Sequence, residues 1–537
     1  MNCKITKDHK FLVLDLEGQN IKVANWLKEY FTKKYSNWFV IAQKNPTAVI
    51  EETFVQVYGN EAFIPSGLWV ELIKFCEQCK LPLNFTFDFR KVYNNIISKT
   101  DFTRYIEKKF SNAKTPDGGK FYPYPHQIET AFKLLNYKNA CTEVATSGGK
   151  TLIMFMLFSY LKDVLGYKKG FCIFTPNTSL TQQTADKFID YEKMCGNDLD
   201  EEGNPNWTHS CLYTGSKTGK LGNKVDVIFG NYQSLTRRKK AFFKDVKVIF
   251  GDEIHHITAR SVRTILSKAT NSEYVYGVTG TFPSEGFDNF IAQVFIGPVI
   301  HRVTSYELIN VLGKATPIYV FQVELIWQDR EIIDYLRGLR DNKTKFDVDE
   351  GRIIMDKEME VVRNHMPRFD KVCELIKKTT KNTLVLFGDV KGGYGKKIAE
   401  ELKTTTRKSV YYVDGSTPAS RRDYYIEQME NDEDENTIIV ASIGTFSEGI
   451  DISRLWTVFL VESTKSEKIV AQMLGRGMRN FEGKDNVAFF DIRDNINSGT
   501  DNKKDCYMMK HASERDKIYR KRRFPMYKMK IMLDNKI

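Results

Sequence analysis

The chain has no apolar stretch long enough to cross a membrane. Its longest run, about Leu152 to Leu161, falls far short of the roughly 20 residues a spanning helix needs, and Lys162 closes it. The first residues, MNCKITKDHKF, lack the apolar core of a secretory signal, so none is expected. Cysteine is sparse and odd in number, nine in 537 residues. Cys76 and Cys79 form one CxxC, but no second pair lies near enough to complete a zinc site. They read as thiols on a helix face, and a reduced, intracellular, cytoplasmic setting is expected. There is no fixed-period repeat, no low-complexity tract, and no nuclease-like set of spaced acids followed by a lysine.

What is present is an ordinary globular composition, 42% hydrophobic, 13% aromatic and 28% charged. That excludes global disorder and can fill a large core. At about 150 residues per domain the length suggests roughly three to four units. The net charge of +12 is compatible with a polyanionic partner without establishing one. Over half of it sits in residues 501–537, which hold twelve Lys and Arg against five Asp and Glu, a net of +7. Tyr507, Tyr519, Phe524 and Tyr527 are interleaved with those basic residues. Arg520, Lys521, Arg522 and Arg523 are the expected phosphate contacts there.

The first ~112 residues mix strand-like runs (Phe11 to Leu16, Trp38 to Ile41, Ala48 to Val57) with helical ones (Val23 to Tyr35, Leu68 to Cys79, Asp101 to Phe110). They predict a small α+β domain over 1–112, expected to grip DNA. SNAKTPDGGK, 111–120, reads as a linker. Then the rhythm changes. Short β-rich runs alternate with helical segments (CTEVAT, FCIFTP, VDVIFG, VKVIFGDE, YVYGVTG), and a second series begins near 380 (TLVLFG, SVYYVDG, TIIVAS, WTVFLVE, NVAFFDI). This is the pattern of parallel sheets with helices on both faces. It predicts two tandem α/β domains, 113–315 and 316–500, with 320–380 charged and mostly helical between them. A basic helical extension, 501–537, follows.

Three elements carry chemistry. In CTEVATSGGKT a β-type run leads into a Gly-rich turn and an apolar helix. Gly148 and Gly149 let the backbone approach phosphates, Lys150 reaches the β- and γ-phosphates, and Thr151 offers its hydroxyl to Mg²⁺. In KVIFGDEIHH a strand ends in two adjacent acids. Asp252 suits Mg²⁺, and Glu253 suits orienting the attacking water. In AQMLGRGMR, Arg476 and Arg479 are three apart, so a helix places both on one face, from which they reach a γ-phosphate as arginine fingers.

In this order the three elements resemble the motifs of superfamily 2 helicases. Motif I is ATSGGKT (145–151) and motif II is DEIH (252–255). TGT (279–281) resembles motif III and QMLGRGMR (472–479) motif VI. FTPNTSLTQQ (174–183), FGNYQSL (229–235), VLFGDVKGG (385–393), ASIGTFSEGIDI (441–452) and YPHQIETA (124–131) are similar to motifs Ia, Ib, IV, V and the Q-motif region. The likeness covers roughly 120–495. PSGLWVELIKFCEQC (65–79) and KKDCYMMKHASERDKIY (503–519) extend it to the recombination and repair helicases of T-even-type phages.

The resemblance implies two RecA-like domains with ATP and Mg²⁺ between them, and 3′-to-5′ movement on branched DNA or R-loops. It implies Gln127 on adenine and nucleotide contacts from Thr146, Ser147, Gly449, Asp451 and Gln472. His255 would join the catalytic set. Thr175, Thr178, Gln233, Ser442 and Thr445 would touch the strand's phosphates. A monomer is expected, with single-strand-binding or recombination proteins as partners and RNA–DNA hybrid as a further substrate. Two other readings stand beside it: a duplex translocase motor of a restriction or remodelling complex, and a catalytically silent nucleic-acid scaffold.

Overall fold

Runs of five or six apolar residues, rich in β-branched and aromatic side chains, form strands buried on both faces. Val248–Asp252 and Tyr274–Thr279 are buried at every position. Earlier in the chain LIMFMLFSYL is apolar all round, and it forms a helix, Lys150–Asp163, buried from Leu152 to Leu161. The computed structural model describes residues 1–537 apart from 19–20, 36–37, 39–40, 43–44, 46, 96, 197, 213–224, 255–258, 283–285, 342–347, 389, 391, 447–451, 498–505 and 534–537. No helix among the described residues is long and apolar enough to cross a membrane.

Strands β1 (Asn2–Ile5), β2 (Phe11–Asp15), β3 (Thr32–Lys34), β4 (Glu51–Thr53), β5 (Gln56–Tyr58), β6 (Glu61–Pro65) and β7 (Asn84–Phe85) belong to the N-terminal part. Five of them form a sheet in the order β5-β6-β2-β1-β7, antiparallel except for β1 with β7, and β3 pairs with β4. Next come β8 (Asn139–Val144), β9 (Phe171–Thr175), β10 (His209–Leu212), β11 (Val227–Asn231), β12 (Val248–Asp252), β13 (Tyr274–Thr279) and β14 (Val299–Val303). They make a parallel sheet in the order β10-β11-β9-β12-β13-β8-β14.

The second parallel sheet holds β15 (Ile318–Trp327), β16 (Thr383–Phe387), β17 (Ser409–Val413), β18 (Thr437–Ser442), β19 (Thr457–Leu460), β20 (Val487–Asn495) and β21 (Met526–Leu533). Their order is β17-β18-β16-β19-β20-β15-β21. The fold is thus the expected pair of RecA-like α/β halves with a small α+β part ahead of them. The chain forms two units: Met1–Ala145 with Gly149–Val303, and Thr304–Ile537 with Thr146–Gly148.

Within the first unit the N-terminal part and the motor sheet share one core. Phe31 meets Phe290 edge-on at 5.9 Å between ring centroids, an arrangement worth roughly 0.5–1.5 kcal/mol beyond area burial. The Gln293 amide donates to Glu71 Oε1 at 3.1 Å, and Gly67 packs so close that a Cβ there would overlap the Gln293 carbonyl. The expected linker is an ordered turn instead. The Thr115 N–H donates to the Gly119 carbonyl at 2.8 Å, and the Lys114 N–H to Met194 O at 3.1 Å, at the end of helix Thr178–Cys195. Trp38 and Ile41, expected in a strand, are helical, with residues 39–40 outside the described set. Cys76 is buried on helix Trp69–Gln78, its thiol pushed up to about 11 by burial, as the helix-face reading expected, whereas Cys79 is the residue that caps the helix end.

In the second unit two elements differ from expectation. The series of strands begins at β15, inside a stretch read as helical. Beyond residue 500 the chain is more than a basic helix. Helix Tyr507–Lys521 docks through Arg515, fully buried against Asp491 and donating to Thr464 O at 2.9 Å, and β21 then pairs with β15 along eight residues.

Candidate active site and nucleic-acid interface

The turn before helix Lys150–Asp163 needs left-handed backbone. Ser147 has φ +70°, and Gly149, the helix N-cap, φ +81°. A Cβ at Gly149 would overlap the Gln127 amide nitrogen, so the Gln127 side chain lies directly against the phosphate-type turn. Gln127 is itself held, its Oε1 accepting the Tyr124 N–H at 2.8 Å. Tyr124, 42% exposed and stacked on His126 at 5.9 Å, offers an aromatic face beside Gln127. In the sequence the motif points to the glutamine, and the tyrosine that caps its helix carries no signal beyond its place three residues earlier.

Lys150 opens the helix, and its ammonium lies 3.0 Å from Glu253 Oε1. Asp252 ends β12 and is 5% exposed; its Oδ1 accepts the Glu253 N–H at 2.9 Å. Glu253 has φ +46°, a conformation an L-residue holds only under constraint. The other Glu253 oxygen accepts the Gly280 N–H at 3.3 Å, which brings the TGT segment to the acid pair. Burial and then the Glu253 charge hold the Asp252 carboxyl well above the usual carboxylate range, with Lys150 pulling it back.

A divalent cation fits this donor set. Asp252 is a buried carboxylate with excess negative charge beside it, and Thr151 stands at the helix start. Among the described residues no group of three His, Cys, Asp or Glu side chains stands together as a metal site. His255 lies outside the described residues.

The candidate strand contacts divide. At the carboxyl ends of neighbouring β9 and β11, Thr178 and Gln233 are exposed, and Asn231 Nδ2 donates to Thr178 Oγ1 at 3.2 Å, tying the two loops together. Thr175 is fully buried, and its hydroxyl meets Thr181 Oγ1 at 2.6 Å. It shapes the loop and presents nothing to a strand. The physical reason is its place as the last residue of a strand buried at all five positions.

In the second unit Ser442 ends β18, 3% exposed, and donates to Thr445 Oγ1 at 2.7 Å at the start of a short helix. Of this pair only Thr445 is partly exposed. Gly449, Asp451 and the side chain of Arg476 lie outside the described residues. Helix Glu467–Gly477 carries Gln472, half-buried, but it stops before Arg479. The expectation of two arginines on one helical face is therefore corrected: Gly475 and Gly477 weaken the last turn, and the helix ends there.

What holds Arg479 is Lys484. Its ammonium, 7% exposed, donates to three carbonyls: Gly477 at 3.0 Å, Arg479 at 2.9 Å and Ser453 at 3.0 Å. Thr316 Oγ1 also donates to the Arg479 carbonyl at 2.9 Å. Burial and the Arg479 charge push the Lys484 ammonium down to about 8, while Glu430 pulls it up. Arg520, Lys521 and Arg523 are exposed at the end of helix Tyr507–Lys521, Arg522 is half-buried, and the Arg523 guanidinium lies 4.9 Å from the Tyr306 ring centroid.

Residues 120–284 match the family model "Type III restriction enzyme, res subunit", and residues 367–481 match "Helicase conserved C-terminal domain". The chain is 27% identical over 487 residues to the ATP-dependent DNA helicase UvsW of Enterobacteria phage T4, covering 88% of each chain. A crystal structure of T4 UvsW covers 99% of this chain and 100% of its own, at 21% identity and a TM-score of 0.47. The structure of Mss116p bound to ssRNA and AMP-PNP covers 82% of this chain and 80% of its own, at 12% identity and a TM-score of 0.52, a likeness of fold.

Proposed function

We propose that the chain works as an ATP-dependent DNA helicase of superfamily 2, as its similarity to UvsW and to the two helicase family models supports, and that it unwinds or remodels branched DNA, moving 3′ to 5′ along the strand it holds. Holliday junctions, stalled forks and R-loops are the substrates this reading assigns to it, and a monomer the working form. The observation that carries the ATPase part is the Lys150–Glu253–Asp252 cluster with Gly280 and the Gln127-covered turn, all at one end of one sheet.

In this mechanism Gln127 and Tyr124 receive the adenine, and residues 146–149 cradle the phosphates with their N–H groups. Lys150 exchanges Glu253 for the β- and γ-phosphates. Glu253, released from the lysine but still held by the Gly280 N–H, orients and deprotonates the attacking water. Thr151 and Asp252 would hold Mg²⁺, which neutralises phosphate charge in the reaction. Arg476 and Arg479 supply guanidinium charge to the γ-phosphate in the transition state, with Gln472, Gly449 and Asp451 in support. Thr178, Gln233 and Thr445 take phosphates of the strand.

The test is ATP hydrolysis with and without DNA, then strand displacement on forks, four-way junctions and R-loops bearing either overhang. DNA-stimulated hydrolysis with displacement from 3′ overhangs is expected. Stimulated hydrolysis without displacement would leave a translocase, and no hydrolysis would refute the motor.

A further inference from the structure

Tyr232 stands between the loop that carries Gln233 and the acids that end β12. It is the first residue of the short helix Tyr232–Thr236, 6% exposed, with its ring edge-on to Phe174 at 5.5 Å. Its hydroxyl donates to the Asp252 carbonyl at 2.6 Å and lies 3.3 Å from the Glu253 carbonyl. One side chain thus touches β9 through Phe174, belongs to the loop after β11, and grips the backbone of the two catalytic acids.

The peptide it grips is strained. Glu253 holds φ +46°, and its side chain must change partner from Lys150 to water for hydrolysis to proceed. A hydroxyl bonded to the carbonyls on both sides of that residue's N–H and Cα sets where its carboxylate points. On the other side, a single peptide separates Tyr232 from exposed Gln233, and Asn231 ties the same loop to Thr178. A strand pulling on Gln233 and Thr178 therefore moves the ring that holds Asp252 and Glu253.

We propose that Tyr232 is the positioning residue that couples strand binding at Gln233 and Thr178 to the placement of Glu253, and so makes ATP turnover respond to DNA. This rests on the reading of the site as a DNA-stimulated ATPase. It adds the element through which the stimulation passes, the physical link that coupling between two sites requires.

The experiment compares wild type with Tyr232→Phe, which keeps the ring and its packing and removes only the hydroxyl. Turnover number and KM for ATP are measured with no DNA and with saturating single strand, and DNA affinity by anisotropy. Unchanged DNA affinity and a ratio of DNA-stimulated to basal turnover lowered by about tenfold are expected, any loss of basal turnover being much the smaller of the two. Gln233→Ala, by contrast, should raise the DNA concentration needed for half-stimulation and keep the maximum. Undiminished stimulation in Tyr232→Phe would overturn the proposal. So would an equal fall in basal and stimulated turnover, the mark of a purely structural hydroxyl. Absence of stimulation in wild type would overturn the ATPase reading itself, a result distinguishable because it appears without any mutation.

Discussion

The Lys150 ammonium and Glu253 Oε1 are 3.0 Å apart, so the cation meant for phosphate and the base meant for water neutralise each other. Nucleotide must separate them. Lys150→Ala should abolish ATP turnover, because the phosphates lose their principal cation. Glu253→Gln should reduce turnover by orders of magnitude yet bind ATP a few-fold more tightly than wild type, because Lys150 is freed from a charged partner. Turnover assays and equilibrium binding of a fluorescent ATP analogue check both. Weaker binding by Glu253→Gln would mean that the ion pair organises the site rather than blocking it.

Arg476→Ala and Arg479→Ala should each cut the turnover number on the order of 10³-fold with smaller effects on KM. Arg479→Lys should not restore it, since a lysine cannot make the bidentate fork on phosphate. Wild-type turnover in either alanine variant would remove that residue from the reaction.

Lys484→Met should destabilise the second unit by roughly 1–3 kcal/mol, because three carbonyls lose a charged donor at once and the buried one, of Gly477, depends on it most. It should also lower turnover, because the Arg479 carbonyl loses one of the two hydrogen bonds that fix it. Thermal shift and steady-state kinetics measure the two effects, and an unchanged melting point would show that water replaces the ammonium.

His511 is 8% exposed with Nδ1 3.1 Å from Ser463 Oγ, and burial, with Lys465 and Arg515 nearby, pushes its imidazole down to about 4. The unfolded chain binds a proton near pH 6.5 and the folded chain only near 4, so stability falls as pH drops between those values. The loss reaches up to roughly 3 kcal/mol at the acid end and is absent above about pH 7. His511→Asn should flatten this part of a stability-against-pH curve, measured by urea midpoint. A curve as steep as wild type would assign the acid sensitivity elsewhere.

Replacing Arg520, Lys521, Arg522 and Arg523 by Ala should weaken fork binding and reduce the salt slope of log K by about 0.9 for each phosphate no longer neutralised. Arg523 already lies over Tyr306 and Arg522 is half-buried, so most of the change should come from Arg520 and Lys521. ATP hydrolysis on saturating single strand should stay unchanged. Unaltered fork affinity and slope across a salt series would make the run a solvated helix end.

The motor is legible in the sequence because its strands announce themselves as short apolar runs and its chemistry sits at their ends. Lys150, Asp252 and Glu253 stand together as their spacing implies, and Gln127 lies on the turn. The differences have physical causes. Arg479 falls outside the helix because two glycines and a lysine cap end it, and no periodicity reports a cap supplied from seven residues on. Thr175 occupies a motif position, whereas its burial is set by the sheet around it. Tyr232 is silent in the sequence because a buried aromatic beside a polar motif looks like core; only its hydroxyl, seen in three dimensions, distinguishes it. β21 is hidden by its own lysines: Lys528 and Lys530 are exposed on an edge strand, so the run MYKMKIML carries charge where a central strand would not.

β15 lies between β20 and β21, so a strand made at residues 318–327 finds both neighbours only among residues 487–533. The first sheet is complete by Val303, but on the ribosome the second must wait with β15 bare on both edges until β20 and then β21 have emerged. A chain cut before Met526 would keep that edge open for good. Removing the basic tail by truncation would therefore test aggregation before it tested DNA binding, and point substitutions on the helix are the cleaner instrument.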